Sequence, residues 1–321
     1  MNYVRRRQTL ADKQATREAY GKALLTLGAE NPNVVVLDAD LSKSTKTADF
    51  GKKYPERFFN MGIAESNLIG TAAGLAAAGK IPFASTFAIF AVGRAFEQIR
   101  NSVAYPKLNV KIAATHAGIT VGEDGGSHQA VEDVAIMRAV PNMTVLVPAD
   151  GEETRQAILA AAKYYGPVYI RMGRLDVPLL FGEDYHFEIG KANVLKEGTD
   201  AAIMANGVMV SLALEAAADL AEQGISVSVV NVASVKPLDE ETIVQVAQKS
   251  KAVVTAEEHN IIGGLGSAVA ELLAEKQPTP MVRVGIKDTF GESGKPAELL
   301  EKYGLTKESI IKAVQEVISK K

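Results

Sequence analysis

The sequence predicts an α/β protein built from two doubly wound, mostly parallel sheet domains. Short runs rich in Val, Ile and Ala alternate with longer stretches of helical pattern. The short runs are near-continuous apolar stretches rather than strict alternations, as expected of parallel strands covered on both faces. The alternation breaks once, over 173–199, and then resumes, which sets the number of domains at two. A chain of 321 residues, 47% hydrophobic and 23% charged, is long enough to form two ordinary soluble cores.

Taken in order, residues 11–29 read as a helix and "NVVVLDADL" (33–41) as a strand. Helix 66–79, strand "IPFASTF" (81–87), helix 92–104 and strand "NVKIAATHAG" (109–118) follow. Helix 129–138, strand "MTVLVPAD" (143–150), helix 151–165 and strand "PVYIRM" (167–172) complete the first half. The 151–165 segment carries its own punctuation. Asp150 can accept the first free N–H groups, acids fill the first turn, and Gly166 closes the end. The segment 173–199 carries Pro, Gly and mixed charge and reads as a connection. Four further strands, "DAAIMANG", "SVSVVNVAS", "KAVVTAEE" and "MVRVGI", alternate with helices near 209–223, 239–249, 263–276 and 305–319. We place the first domain at 1–178, the linker at 179–198 and the second domain at 199–321. The two halves share architecture but no sequence repeat.

Composition excludes several classes. Net charge is −3 and the only basic run is "VRRR" near the start, so nothing predicts a nucleic-acid partner. The chain has no cysteine, which removes disulfides and thiolate metal sites. The N-terminus lacks the apolar core of a signal peptide, and no apolar run approaches the roughly 18–20 residues of a membrane span. The expected location is the cytoplasm.

In sheets of this kind, ligands gather at the carboxyl ends of strands. That rule selects Asp38, Asp40, Thr86, Phe87, His116, Arg171, Arg174 and Glu257–Glu258–His259. The densest cluster is "THAGITVGEDGGSHQAVED" (115–133), which holds His116, Asp124 and His128, two of the four histidines in the chain. It reads either as a surface loop using Gly for turn geometry or as a set of polar donors around a sugar. Its spacing matches no compact zinc pattern, so no metal is assigned. Phe87 and Phe90 lie three apart and serve either core packing or an aromatic slot for a flat heterocycle. Arg17 lies on the first helix, and Arg171 and Arg174 follow a strand. Each is either a solvated cation or an anion ligand. "GGLGSAV" (263–269) matches part of a dinucleotide fingerprint but has Val269 at the third glycine position. In "NMGIAESN", Glu65 stands alone before an Ala/Gly-rich helix and would suit the helix dipole.

The ordered set "NMGIAESN", "STFAIF", "ATHAGITVGEDGGSHQAVED" and "GPVYIRMGR", closing with "DTFGESGKPAELLEKYGL", resembles the C-terminal half of transketolase across essentially the whole chain. The resemblance makes the first domain a pyrimidine-binding domain and the second the transketolase C-terminal domain. It implies thiamine diphosphate chemistry, with Glu65 meeting the aminopyrimidine N1′ atom. A carboxyl there favours the imino tautomer, whose N4′ takes the thiazolium C2 proton. By the same carry-over, Phe87 and Phe90 wall the aminopyrimidine pocket and Asp40 keeps a family acid at the cofactor. His116, Asp124 and His128 orient ketose hydroxyls and move protons. Arg17 and Arg174, with Arg171 as a third candidate, clamp the sugar phosphate. Two departures stand out. Gly93 sits where the family often has a further aromatic. Asp38 replaces a Ser of the phosphate site, an unfavourable charge beside an anion.

The Gly-Asp-Gly motif that holds diphosphate through a metal is absent from this sequence. The expectation is therefore the C-terminal subunit of a split enzyme. An N-terminal partner would supply the diphosphate and Mg2+ site in an α2β2 assembly, and this chain would also be able to pair with itself. The expected reaction is transfer of a two-carbon ketol unit from a ketose phosphate to an aldose phosphate, a step of pentose phosphate and carbohydrate metabolism. The alternatives are part of a 1-deoxyxylulose-5-phosphate synthase-like enzyme, a 2-oxo-acid dehydrogenase β subunit, or a non-catalytic nucleotide-binding protein. "ATHAGITVGEDG" with His116 sits better with transketolase than with the first, and "GEDGGSHQ" does not suit the second.

Overall fold

Residues 12–182 and 184–321 are described by the computed structural model. The N-terminal stretch 1–11, with the basic run and the start of the expected first helix, lies outside the described residues. The strands in chain order are β1 (Lys13–Ala15), β2 (Val34–Asp38), β3 (Phe58–Asn60), β4 (Ile81–Phe87), β5 (Lys111–Thr115), β6 (Thr144–Leu146) and β7 (Val168–Arg171). They continue as β8 (Asp176–Pro178), β9 (Asn193–Lys196), β10 (Ala201–Ala205), β11 (Val227–Asn231), β12 (Ser234–Lys236), β13 (Val253–Asn260) and β14 (Met281–Ile286).

The first sheet runs β12-β6-β7-β5-β4-β2-β3, parallel except for β12. Its central strands β2 and β5 are buried at every position, which is why they read as unbroken apolar runs. One face packs against the helix Glu65–Ala77 and the segment 90–104. The other packs against the helices Thr16–Glu30 and Gly151–Lys163. The second sheet runs β14-β13-β10-β11-β9, with only β9 antiparallel, and has a core on each face. Both halves are thus doubly wound.

Several details differ from the sequence reading. A two-stranded ribbon, β1 with β8, ties the start of the first half to its end, where the pattern had suggested helix at 13–15. Strand β9 lies in the stretch read as linker and forms an edge of the second sheet. Strand β12 belongs to the second half in sequence but pairs with β6 of the first, Ser234 opposite Leu146, so the two halves share a sheet edge. The helix expected at 129–138 begins only at Asp133, because Gln129 and Ala130 bond the glycine-rich loop and the Val131 carbonyl accepts from the Asn260 N–H. The cap at 151 matches its reading: Asp150 accepts from the Glu153 N–H at 2.8 Å. No described helix is long and apolar enough to cross a membrane.

Candidate active site

The site lies beyond the carboxyl ends of β2, β4 and β5. Phe87 closes β4, and the chain then passes through a π-helical turn, Phe90–Arg94. That turn brings Phe90 back under Phe87, with ring centroids 5.7 Å apart and planes within 16°. His116 follows β5 in the left-handed conformation (φ +56°). This uncommon backbone places its ring flat on Phe87, at 3.8 Å and 21°. Its Nδ1 lies 2.9 Å from the Thr115 hydroxyl. Burial, then the charges of Arg17, Arg174 and His128, push the imidazole pKa down to about 3, so His116 is neutral at ordinary pH. His128 meets Phe90 and Phe87 edge-on, at 5.3 and 6.4 Å, with Ser127 Oγ 3.0 Å from its Nδ1.

The loop between these histidines is held from the second half. Gln129 Nε2 donates to the carbonyls of Ile119 and Gly122 and, at 2.9 Å, to that of Glu292. Glu258, near the end of β13, accepts from the Thr120 N–H at 2.8 Å. Gly118 (φ +81°) has to be glycine there, since a Cβ would stand 2.2 Å from Glu258 Oε1. Asp124 is exposed on this loop and makes no side-chain bond among the described residues.

Two arginines face the same region. Arg17 Nη1 donates to the Ser44 carbonyl at 2.9 Å, while its buried Nε has no partner. Burial, then the charge of Arg174, lowers the pKa of Arg17. Arg174 donates to the Val121 carbonyl and, at 3.2 Å, to Glu123, an exposed pair of little energetic weight. Two crowded guanidiniums with an orphaned donor are an arrangement that an anion would relieve.

Glu65 opens the helix Glu65–Ala77 and is only 4% exposed. Its carboxylate accepts from Arg94 Nη1 at 2.9 Å, and the same guanidinium lies 4.0 Å above the Phe90 ring. A buried acid, two stacked Phe rings, two histidines and two arginines thus converge at one strand edge.

Comparison with known proteins settles the family. The transketolase pyrimidine-binding domain matches residues 12–178, and the transketolase C-terminal domain matches residues 190–310. A protein of Methanocaldococcus jannaschii named as a transketolase C-terminal section is 56% identical over 308 residues, covering 95% of this chain and 96% of that protein. The chain belongs to the transketolase family. A subunit of a 6-deoxy-6-sulfo-D-fructose transketolase from Clostridium is 47% identical, with 95% of each chain covered. A solved split-gene transketolase, an inactive β4 tetramer, superposes with a TM-score of 0.90 at 63% identity, over 95% of this chain and 98% of that one. Mouse transketolase is 37% identical over 97% of this chain, which spans 50% of the mouse protein. The chain is therefore the C-terminal section of a transketolase, a family of transferases.

Transketolase membership implies thiamine diphosphate, and the residues present fit one end of it. A buried acid beside an aromatic face suits the aminopyrimidine. No group of acids and histidines arranged to hold a metal occurs among the described residues.

Three sequence readings are corrected by burial. Arg171 does not reach the arginine pair. It is buried, with Nε on both Asp133 oxygens at 2.9 and 3.1 Å and Nη2 on the carbonyls of Glu258 and Ala130. Asp38 is not an unfavourable charge beside an anion, because its carboxylate is consumed internally. It accepts from the Leu41 N–H and the Thr45 and Thr47 hydroxyls and thereby anchors the loop that carries Ser44. Of Glu257, Glu258 and His259, selected above at a strand end, Glu258 and His259 tie the halves together by accepting from the Thr120 and Ala135 N–H groups, while Glu257 accepts from Leu265 and Gly266 within the second half. Asp40 stays at the end of β2 in a left-handed turn, bonded to Asn60 at 2.9 Å. Arg94 was missed. The only sequence signal was its neighbour Gly93, which removes the expected aromatic and leaves the Phe90 face open to Arg94.

Proposed function

We propose that this chain is the C-terminal subunit of a split thiamine-diphosphate-dependent transketolase. It would transfer a two-carbon ketol unit from a ketose phosphate to an aldose phosphate together with an N-terminal partner that holds the diphosphate and Mg2+. The observation that carries this reading is the buried Glu65 carboxylate beside the Phe90 face, next to a cleft of His116, His128, Arg17 and Arg174. When bound, thiamine diphosphate supplies the nucleophilic carbon that carries the ketol fragment. Glu65 holds or releases a proton at the aminopyrimidine N1′ atom. Phe87 and Phe90 fix the plane of the heterocycle and keep water from it. His116, neutral and stacked on Phe87, orients a hydroxyl by hydrogen bonding without adding charge. Proton transfer then rests with His128, the less buried of the two. Arg17 and Arg174 take the terminal anion of the sugar, and Asp124 takes a hydroxyl from the loop rim.

The assembly follows from what the chain offers. The outer face of the helix Glu65–Ala77 carries Asn67, Gly70 and Gly74, and nothing lies within 4 Å of where a Cβ would stand on either glycine. Such a face allows close approach by another chain, either the partner or a second copy, and an α2β2 enzyme is the expected form. The test mixes the chain with the partner encoded beside it, thiamine diphosphate and Mg2+. Xylulose 5-phosphate plus ribose 5-phosphate, 6-deoxy-6-sulfofructose plus an aldose phosphate, and pyruvate plus glyceraldehyde 3-phosphate are offered in turn. Two-carbon transfer with either ketose supports the transferase reading and identifies the donor. Carbon dioxide release from pyruvate would overturn it in favour of a deoxyxylulose-phosphate synthase. Activity of the chain without a partner would refute the split.

A further inference from the structure

We propose that Arg94 occupies the aminopyrimidine seat of the unloaded chain and is displaced when the cofactor enters. The proposal rests on Glu65 and Phe90 being that seat. Arg94 makes two contacts with its side chain: an ion pair to Glu65 Oε1 at 2.9 Å and a stack on the Phe90 ring at 4.0 Å. A carboxylate acceptor and an aromatic face are the same two contacts that a flat, nitrogen-rich heterocycle would make at this place. The guanidinium is itself planar and delocalised, so it imitates that heterocycle in shape and in donor chemistry. Both cannot lie on Phe90 and bond Glu65 at once.

The surroundings suit an occupant that leaves. The Arg94 side chain is 52% exposed, whereas that of Glu65 is 5% exposed, so Arg94 reaches in from solvent over a fixed acid. No other group among the described residues binds its guanidinium. The backbone is also suited to adjustment. Arg94 ends the π-helical turn Phe90–Arg94, and Ala95 then leaves helical geometry (φ −114°) before the next turn. Such turns are uncommon and recur at functional sites. At Gly93 nothing lies within 4 Å of a Cβ position, so the arginine has free space beside it. A bond from Ser66 Oγ to the Arg94 carbonyl, at 3.0 Å, holds the main chain while the side chain swings. The pair gives the buried carboxylate a counter-charge whenever the cofactor is absent, since a buried charge without a partner is costly. The consequence is competition. Cofactor affinity is reduced by the fraction of chains in which Arg94 holds the seat.

The test measures direct thiamine diphosphate binding, by calorimetry and by stopped-flow fluorescence, to the assembled complex with Mg2+. Wild type, Arg94→Ala, Arg94→Lys and Glu65→Gln in the Arg94→Ala background are compared, and each variant's melting temperature checks its fold. Arg94→Ala should bind roughly three- to tenfold tighter and associate faster, as expected when a competing state is removed. Arg94→Lys, which keeps the charge but not the plane, should fall between it and wild type. Weaker binding by Arg94→Ala would overturn the proposal and make Arg94 part of the loaded seat. Unchanged binding would also overturn it, by reducing the pair to a surface contact. Glu65→Gln tests the underlying reading separately. If Glu65→Gln placed in the Arg94→Ala background binds cofactor as tightly as Arg94→Ala alone, the seat itself is misassigned, whatever Arg94 does.

Discussion

Two buried glutamates sit at strand-to-helix junctions in the two halves, and they have opposite fates. Glu257, on β13, gives both carboxylate oxygens to the backbone N–H groups of Leu265 and Gly266, each at 2.7 Å. It caps the helix Leu265–Lys276 and has nothing left to offer. Glu65, in the first half, has one side-chain partner, and that partner is half exposed. The histidines repeat the contrast. His259 uses both ring nitrogens inside the protein, on the Asn260 carbonyl and the Ala135 N–H. His116 uses Nδ1 only, and its Nε2 makes no bond among the described residues. The same residue types at matching places therefore spend their hydrogen bonds on cohesion in one half and keep part of them free in the other. Burial does not separate the two cases. Unspent hydrogen-bonding capacity does.

The largest effect should come from Glu65→Gln. Activity of the complex should fall on the order of 10²–10⁴-fold, as for loss of a proton-transferring group, with the melting curve of the chain unchanged. Full activity would return Glu65 to a helix-dipole acid and erase the contrast with Glu257. Next comes Arg171→Met. Removing one partner of a buried ion pair should destabilise the chain by about 3–5 kcal/mol in urea, because Asp133 is left charged and buried. A loss of substrate affinity without loss of stability would put Arg171 back in the anion clamp. Glu257→Ala should cost about 1–3 kcal/mol by stranding two helix N–H groups, and the refolded enzyme should keep its kcat.

Arg174→Ala should raise KM for a phosphorylated sugar about tenfold, roughly 1.4 kcal/mol, and leave kcat nearly intact. Steady-state kinetics with a phosphate-free ketose distinguish the cases, since an anion ligand predicts no change there. The last effect concerns acid. His116 titrates near 6.5 in the unfolded chain and near 3 in the fold, so below pH 6.5 the unfolded state binds the extra proton. Its contribution to stability is present above pH 6.5 and is lost as pH falls toward 3, with a slope of at most about 1.4 kcal/mol per pH unit. Urea midpoints at pH 7 and pH 5 should diverge more for wild type than for His116→Asn. Equal divergence would mean that His116 is solvated rather than pressed against Phe87.

The order of strands and helices was legible wherever burial leaves a pattern. Residues 34–38 and 111–115 are covered on both faces, so every position is constrained and the run appears in the sequence. The helix after Asp150 was legible because its cap is local, three residues from its donor. The site residues came from motif resemblance, and the structure brings Glu65, Phe87, Phe90, His116, His128, Arg17 and Arg174 to one edge. What stayed hidden has one cause, namely partners distant in sequence. Strand β12 is three residues long, and its pairing with β6 depends on how the two halves dock. The fate of Arg171 was set by Asp133, 38 residues earlier, and by a carbonyl 87 residues later. Arg94 found Glu65 across 29 residues, through a π-helical turn that no periodicity announces. Local chemistry thus determined the fold class and the inventory of reactive side chains. Only the tertiary structure decided which charges are already neutralised inside and which remain open to a ligand, because neutralisation depends on distance in space.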